Sequence, residues 1–381
     1  MNNLQLKNTQ RNFHKELRDA FFGKKTSLPF IVQQIPSSSL VRKGEIFEAL
    51  TIGGSIIKKA LVKKTTEGVE IVEEHDEKPV SFSSEKDFLS YINNELASNV
   101  STLALNFAYP IKPVFENARP PATSSKQSDS KQVDVAGEVG RGKLDGILLA
   151  VTKEGAFHGL IGKRIGKEIE NYVLAKRNKR IKVAVANDTV CLLTSGLDRF
   201  QKKELAAGIV GTGLNFAFFL DENRLVNLES ANFDKFIQSE EGKIIDRQSQ
   251  QPKEYTFEKE TAGAYLYKHF NLIIKERGLK FSPIASTRQL NEISLENISE
   301  VSTIARDLLI RSAKLVACQI AGITEFKKRS MVFIMEGSLF WKGNLYKKTV
   351  EKTVKQLMPQ YTVEFVEIEN SAIMGAAKLV S

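Results

Sequence analysis

Two pairs of apolar segments, each joined by a glycine-rich turn, constrain the fold of this chain more than any other feature. The first pair is IFEALTI and IIKKALV, with Gly53-Gly54-Ser55 between them. The second pair is AAGIV and NFAFFL, which flank Gly211-Thr212-Gly213. Glycines supply the backbone angles that a tight turn needs, so each pair predicts a β-hairpin. The hairpins lie roughly 160 residues apart, a separation that suits a duplicated domain better than a solenoid repeat.

The other apolar patterns alternate between strands and helices. Helical spacing covers 8–22, 160–176, 268–274, 301–321 and 345–357, and a short Ala-rich helix ends at Leu379. Strand patterns cover 146–151, 181–186, 331–335 and 363–368. This order predicts an α/β protein. The polar stretch 118–135 cannot bury enough apolar surface to order itself, and is predicted to be a mobile loop.

Length and composition exclude several classes of protein. With 381 residues the chain has two domains, or one large domain with insertions. Its 42% hydrophobic and 26% charged residues exclude a disordered or fibrous chain. Cys191 and Cys318 are too few for a disulfide framework, and neither lies in a CxxC pattern. The N-terminus has no apolar signal core, and no apolar run reaches the roughly 18 residues of a membrane span, so we expect a cytoplasmic protein without membrane attachment.

The charge balance favours anionic partners. Lys and Arg number 55 against 45 Asp and Glu, and the formal net charge is +10. Lysine-rich patches such as Lys63-Lys64 raise the possibility of nucleic-acid binding, but they are scattered among acids and match no nucleic-acid motif. We therefore expect solvated surfaces and no nucleic-acid partner. The four histidines show no ligand spacing, so no structural metal site is predicted.

Three glycine turns at strand ends suggest a phosphate-binding protein. They are the two hairpin turns and the turn Glu336-Gly337-Ser338. Such turns present backbone N–H groups and leave room for a bulky anion, as a nucleoside triphosphate requires. A plain turn explains any one of them equally well. None matches the P-loop or the dinucleotide-binding fingerprint.

The dipeptide Asn187-Asp188 follows the predicted strand 181–186. A carboxylate at this edge of an α/β sheet lies where active sites of such sheets occur, and could act as a general base. Asn and Asp are also the residues preferred at a helix N-cap. Both interpretations stay open on these residues alone.

The order of these segments resembles that of the hexokinase family, from about Leu28 to the C-terminus. The matching segments are LTIGGS, TKEG, VANDTV, VGTGLN, VNLE, FEK, EGS and SAIMGAA. The resemblance implies two RNase H-like domains of the actin-like ATPase architecture, with a cleft between them. The small domain would comprise 42–186 plus 371–381. The large domain would comprise 187–370 plus the N-terminal segment 1–41.

The resemblance also implies a sugar site and a phosphate-transfer mechanism. Asp188 would take the proton of the sugar's C6 hydroxyl as that oxygen attacks ATP, with Lys153 beside it as a second catalytic residue, and the domains would close on the sugar. The implied sugar ligands are Thr152, Lys153, Asn187, Asp188, Asn215, Glu229 and Glu258. Carboxylate and amide side chains suit sugar hydroxyls because each accepts or donates several hydrogen bonds. The hexose would be glucose, with mannose and fructose as open alternatives.

The implied cofactors are ATP and Mg²⁺. The residues expected on ATP are Gly53, Gly54, Ser55, Lys58, Gly211, Thr212, Gly213, Gly337 and Ser338. The first hairpin departs from the family, which has an Asp before its Gly-Gly-Thr-Asn run and an Arg shortly after it. Here those places hold Thr51, Ser55, Ile56 and Lys58. Two functions therefore stay open, an active hexokinase and a catalytically weak sugar-binding sensor or regulator. Monomer and homodimer are equally open.

Overall fold

A computed structural model describes residues 1–36, 38–53, 57–78, 80–117, 142–151 and 157–381. The loop predicted at 118–135 lies outside these ranges, as do Gly54, Ser55, Thr152 and Lys153. The chain divides into two compact units. Unit 1 comprises 1–31, 200–219 and 226–368, and unit 2 comprises 32–199, 220–225 and 369–381.

The described residues contain twelve α-helices and thirteen strands. The helices are α1 (Asn3–Phe21), α2 (Glu85–Glu95), α3 (Ile165–Arg177), α4 (Asp188–Thr194), α5 (Glu240–Gln248), α6 (Thr256–Thr261), α7 (Gly263–Glu276), α8 (Thr287–Leu295), α9 (Glu300–Lys327), α10 (Ser338–Lys342), α11 (Tyr346–Leu357) and α12 (Ser371–Ala377). The strands are β1 (Ile31–Gln34), β2 (Ile46–Ile52), β3 (Ile57–Lys64), β4 (Val69–Glu77), β5 (Thr102–Phe107), β6 (Ile111–Asn117), β7 (Gly142–Leu148), β8 (Lys182–Ala186), β9 (Leu205–Val210), β10 (Leu214–Phe219), β11 (Arg224–Asn227), β12 (Met331–Glu336) and β13 (Val363–Val366). The predicted α/β class is confirmed.

Unit 2 is built on a five-stranded sheet in the order β4-β3-β2-β5-β8. The predicted first hairpin is present, since β2 pairs antiparallel with β3, whereas β2, β5 and β8 run parallel. A buried aromatic cluster includes the rings of Phe88 and Phe157, stacked with centroids 4.9 Å apart. The pairing of β6 with β7 was not predicted, because it joins segments on either side of a long polar stretch.

The sheet of unit 1 repeats this arrangement. Its strands β10, β9, β12 and β13 are adjacent in this order. Here β9 and β10 form the predicted second hairpin, and β9, β12 and β13 run parallel. A hairpin followed by two parallel strands therefore occurs in both sheets, as the duplicated glycine turns led us to expect.

Helices α1 and α9 pack closely in unit 1. The buried face of α1 carries Leu6, Phe13 and Leu17, at helical spacing. A Cβ atom on Gly322 of α9 would lie only 2.7 Å from the ring of Phe13, so glycine permits this close approach. None of the described helices is both long enough and apolar enough for a membrane span.

The units differ from the domains expected from sequence at 32–41, 187–199, 220–225 and 369–370. The expectation placed these segments with the larger domain, whereas their contacts group them with unit 2. Helix α4, within 187–199, packs on α12, where a Cβ on Gly375 would overlap the carbonyl oxygen of Cys191. The hydroxyl of Thr194 also donates to the carbonyl oxygen of Gly375, at 2.9 Å.

Candidate functional site

Three polar side chains of unit 1 form a continuous hydrogen-bonded chain. The Nδ2 atom of Asn215, on β10, donates to Oδ1 of Asn227, on β11, at 2.7 Å. The Nδ2 atom of Asn227 donates in turn to Oε1 of Glu229, also at 2.7 Å. Asn227 is 3% exposed, so both of its bonds are shielded from water. The chain fixes two predicted sugar ligands, Asn215 and Glu229, relative to each other.

The other hydrogen bonds of Asn215 determine which of its atoms can contact a ligand. Its Oδ1 atom accepts from the backbone N–H groups of Phe216, at 2.8 Å, and Ser230, at 3.2 Å. These contacts within the described residues use both lone pairs of the amide oxygen and one of the two amide hydrogens. The second hydrogen is available to a ligand oxygen, so Asn215 can act as a donor to a hydroxyl group.

Glu258 lies against the second glycine turn. Its Oε2 atom accepts from the backbone N–H of Leu214 at 3.0 Å. A Cβ on Gly213 would lie 3.0 Å from the same oxygen, so the turn has little room for a side chain there. Burial raises the pKa of Tyr255, and the carboxylates of Glu229 and Glu258 both add to this rise. Both carboxylates therefore lie within electrostatic range of one tyrosine hydroxyl.

Glu229 itself and Tyr255 both have left-handed backbone angles. Glu229 has φ 48°, and Tyr255, immediately before α6, has φ 52°. Non-glycine residues adopt this region at an energetic cost, and such residues are concentrated at functional sites. The strained backbone turns the carboxylate of Glu229 and the start of the Glu258 helix into their positions.

A buried ion pair anchors the loop that precedes Glu258. Lys259 Nζ donates to Asp246 Oδ1 and to the carbonyl oxygen of Gln251, both at 2.6 Å. The backbone N–H of Lys253 also donates to Asp246, at 3.0 Å. Lys259 is 2% exposed, and removing one partner of such a pair would leave an uncompensated buried charge. These bonds hold the loop 249–255 firmly.

The second glycine turn rests on the start of α7. Backbone N–H groups of Gly263 and Ala264 donate to the carbonyl oxygens of Gly211, at 2.8 Å, and Thr212, at 3.1 Å. Within the turn, the N–H of Gly211 donates to the carbonyl oxygen of Gly213 at 3.0 Å. The side chain of Thr212 is exposed. The carbonyl oxygens of Gly211 and Thr212 are thus directed at α7.

The third glycine turn packs directly against the second. A Cβ on Gly211 would lie 3.3 Å from the Cα of Gly337. Gly337 itself has φ 116°, and a Cβ there would overlap the carbonyl oxygen of Val210. Only glycine fits both conditions. Unit 1 therefore brings the turn of Gly211, Thr212 and Gly213 next to Gly337 and Ser338, and the binding of ATP by these residues stays a prediction.

In unit 2, polar residues lie at or just beyond the carboxyl ends of three adjacent parallel strands. Thr51 on β2 pairs with Asn106 on β5, and Asn106 pairs with Ala186 on β8. Asn187 and Asp188 follow directly after Ala186. Carboxyl ends of parallel strands form the usual ligand edge of an α/β sheet. Asp188 is half-buried at this edge.

Asn187 is the N-cap of α4. Its side chain accepts from the backbone N–H of Thr189 at 3.1 Å, and Asp188 Oδ1 accepts from the same group at 2.7 Å. The capping interpretation is thus correct for Asn187. The N–H of Thr189 thus holds the Asp188 carboxylate in the first turn of α4.

The first glycine turn belongs to unit 2 and is described only at Gly53. Gly53 has φ 112°, which favours glycine, while Gly54 and Ser55 lie outside the described residues. The Lys58 ammonium lies 3.4 Å from Asp76 Oδ1 and 3.4 Å from Asn370 Oδ1. It is the cross-strand partner of Thr51. Lys58 thus lies opposite the end of β2, and its ammonium group contacts Asp76 and Asn370.

The donor set at this edge suits a metal bound mainly by ATP. Thr51 Oγ1 and Asn106 Oδ1 are buried and have no hydrogen-bond partner among the described residues. These residues contain no cluster of three or more His, Cys, Asp or Glu side chains able to hold a metal. Mg²⁺ commonly keeps several waters and binds through substrate phosphates and one or two protein groups. If Mg²⁺ binds, its ligands would come chiefly from ATP.

Three residues at these sites were missed from sequence. Asn227 was overlooked because nothing marks it within VNLES, although it lies two residues before a predicted sugar ligand. Gly263 begins α7, yet the helix was predicted only from residue 268. The small residues of TAGAY could have indicated the close approach to the turn. Asn106 becomes notable only through its strand register.

Thr152 and Lys153 stay predictions, because they lie outside the described residues.

Comparison with solved structures identifies the fold. A hexokinase from Schistosoma mansoni complexed with glucose matches over 100% of this chain and 95% of its own, with a TM-score of 0.77 and 18% identity. A ROK family glucokinase from Streptomyces griseus, in complex with glucose and AMPPNP, matches over 88% of this chain and 99% of its own, with a TM-score of 0.55 and 14% identity. The chain has the two-domain sugar kinase fold of the actin-like ATPase architecture, which confirms the predicted fold class.

Sequence comparison finds similarity to the hexokinase family. The family described as Hexokinase matches residues 205–282 and 280–381. Hexokinase-1 of Pongo abelii and of Homo sapiens are each 26% identical over an aligned length of 416, covering 93% of this chain and 43% of the relative. The chain thus spans less than half the length of these curated relatives. These matches confirm the resemblance to the hexokinase family seen in the segments of the chain.

Proposed function

We propose that this chain is an ATP-dependent hexokinase that phosphorylates the 6-hydroxyl of glucose or a related hexose. The observation that carries the proposal is the chain of hydrogen bonds from Asn215 through Asn227 to Glu229, beside Glu258 and the glycine turns of unit 1. One amide donor and two carboxylate acceptors suit the alternating hydroxyls of a pyranose. The glucose in the Schistosoma mansoni hexokinase complex supports the choice of sugar.

Asp188 would act as the general base. Its carboxylate would take the proton of the C6 hydroxyl, whose oxygen then forms a bond to the γ-phosphorus as the bond to ADP breaks. Thr152, Lys153 and Asn187 complete the proposed sugar ligands, and Lys153 is the second proposed catalytic residue. Phosphoryl transfer needs chiefly positioning and neutralisation of charge. Mg²⁺ bound to ATP would supply part of that neutralisation.

The glycine turns would hold ATP. Gly211, Thr212 and Gly213 would meet its phosphates, and Gly337 and Ser338 the adenosine side. Trp341, the only tryptophan, lies three residues after Ser338, and its Nε1 donates to the carbonyl oxygen of Met335 at 3.0 Å. Its fluorescence should therefore change on titration with ATP. Saturable change in the absence of glucose would support nucleotide binding to unit 1, and an unchanged spectrum would count against it.

The decisive test is Asp188→Asn, assayed with MgATP and glucose. General base catalysis contributes about 10²- to 10⁴-fold, so kcat should fall by that factor. Glucose binding, measured by calorimetry, should persist. Asp198→Asn is the matched control, because Asp198 is an acid of the same unit that pairs with Lys378 at 2.6 Å. The control should keep wild-type kcat, and equal turnover in both variants would refute the role of Asp188.

A sugar-binding sensor or regulator is the second candidate. Thr51 favours it, because this buried residue occupies the place at which the resemblance implies an acid. The same assay separates the two candidates. Glucose binding by the wild-type chain without any turnover would establish the sensor and reject the enzyme.

A further inference from the structure

A cavity of about 600 Å³ lies in unit 1 between α5, α7 and the segment that follows α7. Its volume is in the range of cavities that bind small organic molecules. None of its lining residues belongs to the proposed sugar ligands or to the glycine turns. An occupant of this cavity would therefore be distinct from the proposed hexose and ATP.

The lining combines an apolar floor with positive charge. Half of the twelve lining residues are Ile, Leu, Phe or Pro, among them Leu272, Leu279 and Phe281. Lys268 and Lys275 also line the cavity, and no lining residue is acidic. These lysines are seven positions apart on α7, which places their Cα atoms about 10 Å apart on one side of the helix.

The segment that follows α7 is held against this helix by specific bonds. Asn271 Nδ2 donates to the carbonyl oxygen of Ile284 at 2.8 Å, and the N–H of Ile284 donates back to Asn271 Oδ1 at 2.9 Å. The ring of Phe281 packs edge to face on Phe270, with centroids 5.7 Å apart. A wall fixed in this way needs little ordering when a ligand binds, which favours affinity.

Lys268 is also positioned in advance. Its ammonium lies 5.0 Å from the centre of the Tyr265 ring, and Tyr265 itself lines the cavity. A cation over an aromatic face is held there by the ring's quadrupole. The cation and the ring are thus presented together, as suits a ligand that is both apolar and negatively charged.

We propose that this cavity binds a small organic anion with an apolar body, in which the anionic group meets Lys268 or Lys275 and the body contacts the apolar floor. An acidic group is favoured because the lining contains two cations and no acid. An apolar body is required because a simple inorganic anion would leave the floor exposed to water.

The test uses 8-anilinonaphthalene-1-sulfonate, whose fluorescence rises in apolar sites, and the full chain in its folded state. We expect saturable binding that weakens at least tenfold in the double variant Lys268→Met/Lys275→Met. The double variant Lys352→Met/Lys355→Met removes the same charge from the exposed face of α11 and should bind as the wild type does. Urea unfolding of each variant checks that the fold is retained.

A neutral probe tests the requirement for charge. N-phenyl-1-naphthylamine has the same rings without the sulfonate, and should bind at least tenfold more weakly than the sulfonate probe. Equal binding of both probes, or equal binding by the two double variants, would overturn the proposal. Absence of saturable binding would also overturn it. None of these readouts depends on kinase activity, so they are independent of the proposed function.

Discussion

The side-chain amide of Asn215 donates a 2.7 Å hydrogen bond to Asn227, which connects it to Glu229. Asn227 is therefore a positioning residue for two proposed sugar ligands, although it is not proposed to touch the sugar. Replacement by Leu would keep a similar volume and remove both hydrogen bonds. At about 1 kcal/mol for each bond, kcat/KM for glucose should fall roughly 10- to 30-fold.

The measurement is steady-state kinetics with glucose varied at saturating MgATP. The loss should be largely a rise in the KM for glucose, with the KM for MgATP unchanged. Asn232→Leu is the control, because Asn232 donates to the main-chain oxygen of Glu229 and not to its carboxylate. It should change kcat/KM less than about threefold, as the loss of one weaker bond implies. A wild-type KM for glucose in Asn227→Leu would contradict the positioning role.

The sequence predicted those features that depend on local patterns. The two hairpins follow from apolar runs on either side of Gly53 and Gly211, and the positive φ angles of Gly53 and Gly337 follow from glycine. Asn227 could not be found in this way, because its importance comes from pairing with a residue twelve positions earlier on another strand. The left-handed angle of Glu229 was equally hidden, since glutamate does not favour it.

Contacts between distant segments could likewise not be predicted from the sequence. Thr51 and Asn106 are 55 positions apart and meet only through the register of β2 and β5. Gly375 was seen as part of an Ala-rich helix, whereas its contact with Cys191 depends on how α12 meets α4. Such contacts depend on the whole fold and not on any short pattern.

Glu48 should make the stability of the protein depend on pH. It is 1% exposed, and burial raises its pKa above the usual 4.5, although the N–H of Ala97 donates to it at 2.9 Å. A carboxyl whose pKa is raised on folding binds more protons in the folded state. Its favourable contribution is therefore complete below pH 4.5 and is lost as the pH rises through the raised value.

We expect Glu48→Gln, which is always neutral, to gain stability relative to the wild type as the pH rises above about 4.5. Urea unfolding between about pH 4.5 and 7 measures the difference in the free energy of unfolding. Glu70→Gln, at an exposed position on β4, should keep a constant difference from the wild type over this range. A constant difference for Glu48→Gln as well would show that burial of this carboxyl has no such effect.

Gly375→Ala should disturb the position of α4. The added methyl group would overlap the carbonyl oxygen of Cys191, which is backbone and cannot move alone. Overpacking of this kind costs about 1–3 kcal/mol, and the displaced helix carries Asp188 at its first position. We expect a lower midpoint of urea unfolding together with a reduced kcat for glucose.

Gly278→Ala is a useful comparison for that variant. Gly278 has φ 66°, and no atom lies within 4 Å of the position that an added Cβ would take, so only backbone strain of about 1 kcal/mol is expected. It should lower stability slightly and leave kcat unchanged. If Gly375→Ala kept both wild-type stability and wild-type kcat, the close contact between α12 and α4 would be disproved.

Thr51→Asp should improve the use of MgATP. Thr51 is the penultimate residue of β2 and lies opposite Lys58 and Asn106, and its hydroxyl oxygen has no partner among the described residues. A carboxylate there would add the type of oxygen ligand that Mg²⁺ prefers, at the edge of the sheet that also carries Asp188. We expect kcat/KM for MgATP to rise about tenfold, equivalent to roughly 1.4 kcal/mol, with the KM for glucose unchanged. Thr51→Asn has a similar shape without the charge and should leave kcat/KM near the wild-type value. An equal effect of both variants would show that the charge at this position does not govern nucleotide use.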